Sequence, residues 1–247
     1  MIAPEQPQPS GERPAAINER LEHNRGIFRG PLLRIKDHLL MMASLTDRNL
    51  NIALQAFLTR DDGKADLVES EDAVIDRLEI EIDELVVTYV STHGPMATTC
   101  RLAIMSSKMC ESLESIADQA VTIARRARLL NVLPEPPVNL EIAKLANLVL
   151  AMMREAIVAF VDVDPDSARA LVGRDKEVDA INKANEAALY SAMVADPAHI
   201  PACLHLMFVS RSLERVGDYA KNLAQDVVYL YTAQDIRHRG ASGQSKI

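Results

Sequence analysis

A proline-rich segment near the middle of this chain cannot continue a helix, so it divides the chain into two helical regions. Prolines occupy three of the four positions 134–137, and they resist helix because proline lacks a backbone N–H and restricts the preceding residue. On both sides of the break, apolar residues recur at spacings of three and four, the pattern of amphipathic helices. Short breaks rich in Gly, Pro and Asp divide this pattern into six segments, at about 17–58, 64–91, 96–130, 138–161, 166–194 and 200–231.

The composition also favours helices. Hydrophobic residues make up 48% of the 247 residues, whereas aromatic residues make up 4% and tryptophan is absent. Aromatic residues are enriched in strands, while Ala, Leu and Met are good helix formers. Because short connectors between long helices imply antiparallel neighbours, we predict an all-α fold of two tandem three-helix bundles.

The segment pattern also predicts where the two bundles begin and end. The first bundle is expected at 17–131 and the second at 138–233, with 132–137 as the linker. The stretch 1–16 is rich in Pro and Gln, and 234–247 has no apolar periodicity. We predict that these two ends are disordered tails.

Charge and motif content argue against several classes of protein. The net charge of −8 argues against a nucleic-acid-binding protein, which normally presents a basic face. Three cysteines without a C-x-x-C pair suit a reducing compartment, and no apolar run reaches the length of a membrane span. We therefore expect a cytoplasmic protein. Because neither a phosphate-binding loop nor a G-x-S-x-G motif occurs, we predict no catalytic residues and no enzymatic activity.

The two halves of the chain resemble each other in sequence. Residues 112–124 align with 212–224, and six of these thirteen positions are identical. The spacing Asp-x-x-x-Asp in the preceding helix is also repeated, at an offset of 103. Both matches keep their order along the chain, so we interpret them as an internal duplication.

Acidic residues four positions apart mark each half, and this spacing places both on one helical face. Such like-charged pairs destabilise a helix by roughly 0.2–0.5 kcal/mol, and both copies tolerate that cost. Oxygen-only ligand sets suit hard cations, so we predict divalent or trivalent metal ions such as Mg²⁺, Mn²⁺ or iron. The predicted ligands are Glu114, Asp118, Asp72 and Asp76 in the first half and Glu214, Asp218, Asp175 and Asp179 in the second.

Two other interpretations of these carboxylates stay open at this point. They could form an ordinary solvated helix face, or they could pair with neighbouring basic side chains instead of a metal. Arg211 lies three residues before Glu214, whereas Glu111 occupies the corresponding position before Glu114. The first copy is therefore the more acidic, and we expect it to bind metal in preference to the second.

The sequence Leu-Glu-Arg-Val-Gly-Asp at 213–218 resembles the signature of the PhoU family, regulators of phosphate uptake. The Asp72–Asp76 and Asp175–Asp179 segments are similar to the motif of the preceding helix in that family, and the resemblance spans about 32–231. It implies two three-helix bundles related by pseudo-twofold symmetry, often in a homodimer. It also implies metal binding through the Glu-x-x-x-Asp motifs, here Glu114/Asp118 and Glu214/Asp218.

The family resemblance implies a regulatory role. Members restrain the phosphate-starvation response and link the ATPase of an ABC phosphate importer to a phosphate-sensing histidine kinase. We therefore expect a non-enzymatic adaptor that reaches the membrane only through its partners. Two alternatives remain: a metal-carrying bundle with a storage or redox role, and an accessory protein of a non-ABC phosphate carrier. The absence of a Glu-x-x-His motif argues against the first of these.

Overall fold

The computed structural model describes residues 30–237, and in this range the chain forms helices and no strands. This confirms the predicted all-α class. One 3₁₀ turn spans Val172–Arg174, and a second spans Pro197–His199. The α-helices are α1 (Pro31–Thr59), α2 (Asp62–His93), α3 (Ala97–Asn131), α4 (Ile142–Asp162), α5 (Pro165–Leu171), α6 (Asp175–Ala195) and α7 (Ile200–Thr232).

Helices α1, α2 and α3 pack against one another as the first bundle. In the second bundle, α7 packs against both α4 and α6, and the short α5 lies against α4 and α7. The third long helices of the two bundles, α3 and α7, pack against each other. They run antiparallel, because Arg101 near the start of α3 donates to the Leu230 carbonyl near the end of α7 (3.2 Å). One hydrophobic core therefore extends across both bundles.

Local chemistry explains the tight reversal between α1 and α2 and the end of α2. Arg60 takes a left-handed conformation (φ 52°) after α1, and the Asp61 side chain then caps α2 by accepting from the Lys64 N–H (3.2 Å). Gly94 is left-handed (φ 52°) after α2, a conformation that glycine adopts without steric cost, and Pro95 follows it. These residues make the sharp stops that the sequence pattern predicts.

Two helix boundaries differ from the predicted segments. Helix α4 begins at Ile142 rather than at 138, and the Glu141 N–H donates to the Asn185 Oδ1 on α6 (2.9 Å), which fixes this longer connection to the second bundle. The segment predicted at 166–194 is divided into α5 and α6. Asp164 caps α5 at Pro165, next to the predicted start at 166, whereas the 3₁₀ turn that separates α5 from α6 contains Gly173, a poor helix former.

The predicted tail at 1–16 lies outside the described residues, as do 17–29 of the first bundle and 238–247 of the second tail. Residues 233–237 follow the end of α7 and are not helical. Within residues 30–237, none of the helices is long and apolar enough to cross a membrane.

Candidate functional site

Carboxylates from α2 and α3 converge on one side of the first bundle. Glu114 on α3 interacts electrostatically with Asp118 on its own helix and with Asp72 and Asp76 on α2. The four ligands predicted in the first half are thus near enough to interact electrostatically. Glu79 on α2 joins them, and sequence reasoning missed it although it lies seven residues, about two turns, after Asp72. We name this group the first acidic face. Its members are Asp72, Asp76, Glu79, Glu111, Glu114 and Asp118.

The first acidic face disfavours a full set of negative charges. Burial and, after it, the neighbouring carboxylate of Asp118 together raise the pKa of Glu114 to about 7. Burial also raises the pKa values of Asp72 and Glu79 above their ordinary range, again with help from nearby acidic groups. A cation placed here would relieve this repulsion.

Few of the contacts on this face supply positive charge. The Ser115 hydroxyl donates to the Glu114 Oε2 at 3.5 Å, which is a neutral and long hydrogen bond. Arg125 lowers the pKa of Asp72, but its guanidinium Nε donates to the Glu69 Oε2 (3.2 Å). The carboxylate of Glu114 is therefore held mainly among other acidic groups.

The four predicted ligands of the second bundle also interact electrostatically. Glu214 on α7 interacts electrostatically with Asp218 on α7 and with Asp175 and Asp179 on α6. Burial raises the pKa of Glu214, and Arg211 opposes that rise. We name Asp175, Asp179, Glu214 and Asp218 the second acidic face.

Two basic side chains neutralise the second acidic face. The Lys221 Nζ donates to the Asp175 Oδ2 at 2.6 Å and to the Asp218 Oδ1 at 3.0 Å, and so bridges α6 and α7. Burial lowers the pKa of Lys221, but these two hydrogen bonds and the negative charges of Asp175 and Asp218 together outweigh it and raise the pKa above its ordinary value. The Arg211 guanidinium donates to the Glu214 Oε1 at 3.2 Å. Of the two alternatives to metal binding, pairing with basic side chains thus describes this face.

The two faces differ at three equivalent positions. Under the alignment of the two halves, Val121 corresponds to Lys221 and Glu111 to Arg211. On the preceding helix, Glu79 corresponds to Asn182, whose buried side chain accepts from the Ser210 hydroxyl (2.8 Å). The sequence comparison identified Arg211 but missed Lys221, although its position three residues after Asp218 places it on the same side of the helix.

The two donor sets fit a metal ion differently. In the part of the chain that the structure describes, no three His, Cys, Asp or Glu side chains stand together as a group that could hold a metal ion. The first acidic face nevertheless offers several carboxylate oxygens, which is the chemistry that hard cations select. On the second face, Lys221 and Arg211 already hold three of the four carboxylates, so its residues as placed do not fit a metal.

One carboxylate oxygen on the second face lacks a hydrogen bond. Glu214 is buried, and among the described residues its Oε2 has no hydrogen-bond partner. Unpaired buried oxygens are uncommon in folded proteins because burial removes their water. The second face therefore keeps one unused oxygen beside its two ion-paired aspartates.

Comparison with known proteins identifies relatives of this chain. A family model described as the PhoU domain matches twice, at 39–127 and 142–227. A phosphate-specific transport system accessory protein PhoU homolog from Pseudomonas putida is 36% identical over 214 residues, covering 86% of this chain and 84% of that protein. The Escherichia coli K12 accessory protein PhoU is 29% identical over 226 residues, covering 92% of this chain and 94% of the relative.

A solved structure agrees with this similarity. The crystal structure of PhoU from Pseudomonas aeruginosa superimposes with a TM-score of 0.81 at 36% identity, covering 84% of this chain and 100% of that chain. The two domain matches fall on the two bundles in turn. The predicted duplication and the family resemblance are both confirmed.

Proposed function

Because this chain belongs to the PhoU family of phosphate transport accessory proteins, we propose that it is a non-enzymatic regulator of phosphate uptake. It restrains the phosphate-starvation response when phosphate is plentiful. It does so as an adaptor between the ATPase of an ABC phosphate importer and a phosphate-sensing histidine kinase. It works in the cytoplasm as a homodimer and reaches the membrane only through these partners.

The observation that carries the proposal is the doubled PhoU domain match, which spans both bundles of the structure. The relatives named as phosphate-specific transport accessory proteins match over nearly the same length as this chain.

The adaptor also binds a divalent or trivalent metal ion, Mg²⁺, Mn²⁺ or iron, at the first acidic face. Glu114 and Asp118 of α3 and Asp72 and Asp76 of α2 supply the oxygens, and Glu79 adds a fifth carboxylate. A bound cation would neutralise charges that at present repel one another. It would thereby stabilise the packing of α2 against α3.

The regulatory role is tested in the organism that carries the protein. Deletion of its gene should raise expression from a phosphate-starvation promoter in phosphate-rich medium, and the intact gene should restore repression. Affinity purification from phosphate-replete cells should recover the importer ATPase and the kinase. A deletion strain with unchanged promoter activity would contradict the regulatory role, and recovery of a non-ABC carrier instead would favour the alternative partner.

Metal binding is tested on the purified protein. Elemental analysis should find metal in the wild type and a loss of that metal in the double variant Glu114→Gln/Asp118→Asn. Glu84→Gln, an exposed carboxylate on α2 that lies outside the first acidic face, is the matched control and should keep its metal. Equal metal content in all three proteins would remove the metal from the proposal and leave the adaptor role standing.

A further inference from the structure

We infer that Lys221 takes the place of a metal ion on the second acidic face, so that each chain binds metal at its first face alone. The inference rests on the proposed metal binding of the first acidic face. Lys221 would thereby make the two copies of one duplicated motif differ in metal binding.

The position of the Lys221 ammonium group is the first observation. Its Nζ lies 2.6 Å from the Asp175 Oδ2 on α6 and 3.0 Å from the Asp218 Oδ1 on α7. It thus bridges carboxylates on two different helices, as a bound metal cation would. The exposed fraction of the side chain is 23% for Lys221 and 18% for Asp175, so water screens this ion pair only in part.

The corresponding residue of the first bundle cannot act in this way. Val121 is buried and carries no charge. The other differences change the charge in the same direction, because Arg211 and Asn182 stand where the first face has Glu111 and Glu79. Within residues 30–237, the first face therefore has no ammonium group hydrogen-bonded between its carboxylates.

A metal ion that entered the second face would have to displace Lys221. Its two charge-assisted hydrogen bonds would be lost, and the ammonium group would stay close to an ion of the same sign. The Arg211 guanidinium, 3.2 Å from the Glu214 Oε1, adds a second positive group at the same place. Tethering keeps the lysine at the site at any metal concentration, because it is part of α7.

The second face nevertheless retains all four carboxylates of the duplicated motif. Glu214, Asp218, Asp175 and Asp179 are all present, and the buried Glu214 Oε2 has no hydrogen-bond partner among the described residues. Removing the ammonium group while keeping the side-chain volume should therefore open this face to a cation. Lys221→Met makes that change.

The experiment counts bound Mn²⁺ on the full chain after it has been stripped with a chelator, reloaded and dialysed. We expect one equivalent in the wild type, two in Lys221→Met and one in the control Lys183→Met, which changes an exposed lysine on α6. Thermal unfolding supplies a second readout. Without metal, Lys221→Met should melt below the wild type, and Mn²⁺ should raise its melting temperature more than it raises that of the wild type.

The possible outcomes separate this inference from the proposed function. Two equivalents in the wild type, or one in Lys221→Met with no additional response to Mn²⁺, would overturn the role of Lys221. No metal in the wild type but one equivalent in Lys221→Met would support the role of Lys221 and overturn metal binding at the first face. No metal in either protein would overturn both.

Discussion

Gly217 lies where α7 packs closely against α4 and α6, and replacing it with alanine tests that packing directly. A Cβ atom at this position would lie 2.9 Å from the Val178 Cγ1 on α6 and 3.3 Å from the Val149 Cγ1 on α4. Both valines are fully buried, and β-branched side chains have few other rotamers available. The added methyl group therefore cannot be accommodated without moving a helix or a valine.

Two effects of opposite sign determine the magnitude. Overpacking a well-packed core costs about 1–3 kcal/mol. Replacing glycine by alanine inside a helix stabilises by about 1 kcal/mol. We expect Gly217→Ala to lower the free energy of unfolding by about 1 kcal/mol, measured by urea denaturation followed by circular dichroism.

A second background isolates the steric cause. In Val178→Ala, the methyl group at 2.9 Å is gone and only the Val149 Cγ1 at 3.3 Å remains, so adding Gly217→Ala should be much less destabilising than in the wild type, or stabilising. Ala117 occupies the equivalent position in the first bundle, and Ala117→Gly should cost about 1 kcal/mol there. A stabilising effect of Gly217→Ala in the wild-type background, or the same effect in both backgrounds, would refute the argument.

Three further substitutions test buried polar groups and a helix cap by the same urea assay. Burial raises the pKa of Asp226 to about 6, above its ordinary value of 3.8, so stability should fall as pH rises from about 4 to 6 and then level off. Asp226→Asn should remove that loss of stability, so at neutral pH the variant should be up to about 3 kcal/mol more stable than the wild type. The difference should shrink at pH 4, and a pH-independent difference would contradict this explanation. Tyr231→Phe removes the hydroxyl that donates to the Phe160 carbonyl (2.8 Å) and should cost about 1 kcal/mol; an unchanged stability would mean that water replaces this bond. Asp164→Ala removes the side chain that caps α5 by accepting from the Ser167 N–H (3.0 Å) and should also cost about 1 kcal/mol, whereas Asp164→Asn should cost less.

Helical periodicity predicted most of the fold because it records which face of each helix is buried. Periodicity is a weak guide to where a helix begins, because capping interactions determine the first residue of the helix. Helix α4 therefore starts four residues after the predicted position, and the segment predicted at 166–194 is interrupted at Val172–Arg174. Periodicity also does not say which helix a buried face meets, so the packing of α3 against α7 was not predicted.

The candidate site was predictable in the same partial way. Spacings of four residues placed Glu114 and Asp118 on one side of α3, and the duplication identified their counterparts. Which basic group reaches which carboxylate depends on side chains from two helices. Lys221 donates to Asp175 on another helix, 46 residues earlier in the chain. The residue spacing within one helix cannot predict such a contact.

Helix α3 belongs to two interfaces at once. It carries Glu114 toward α2, and along the side where it meets α7 it forms part of a core shared by both bundles. Close-packed interiors transmit displacement rather than absorb it. A rotation or shift of α3 that followed a change of charge on its acidic side would therefore be passed to α7, so that an event on one repeat could be read by a partner bound to the other.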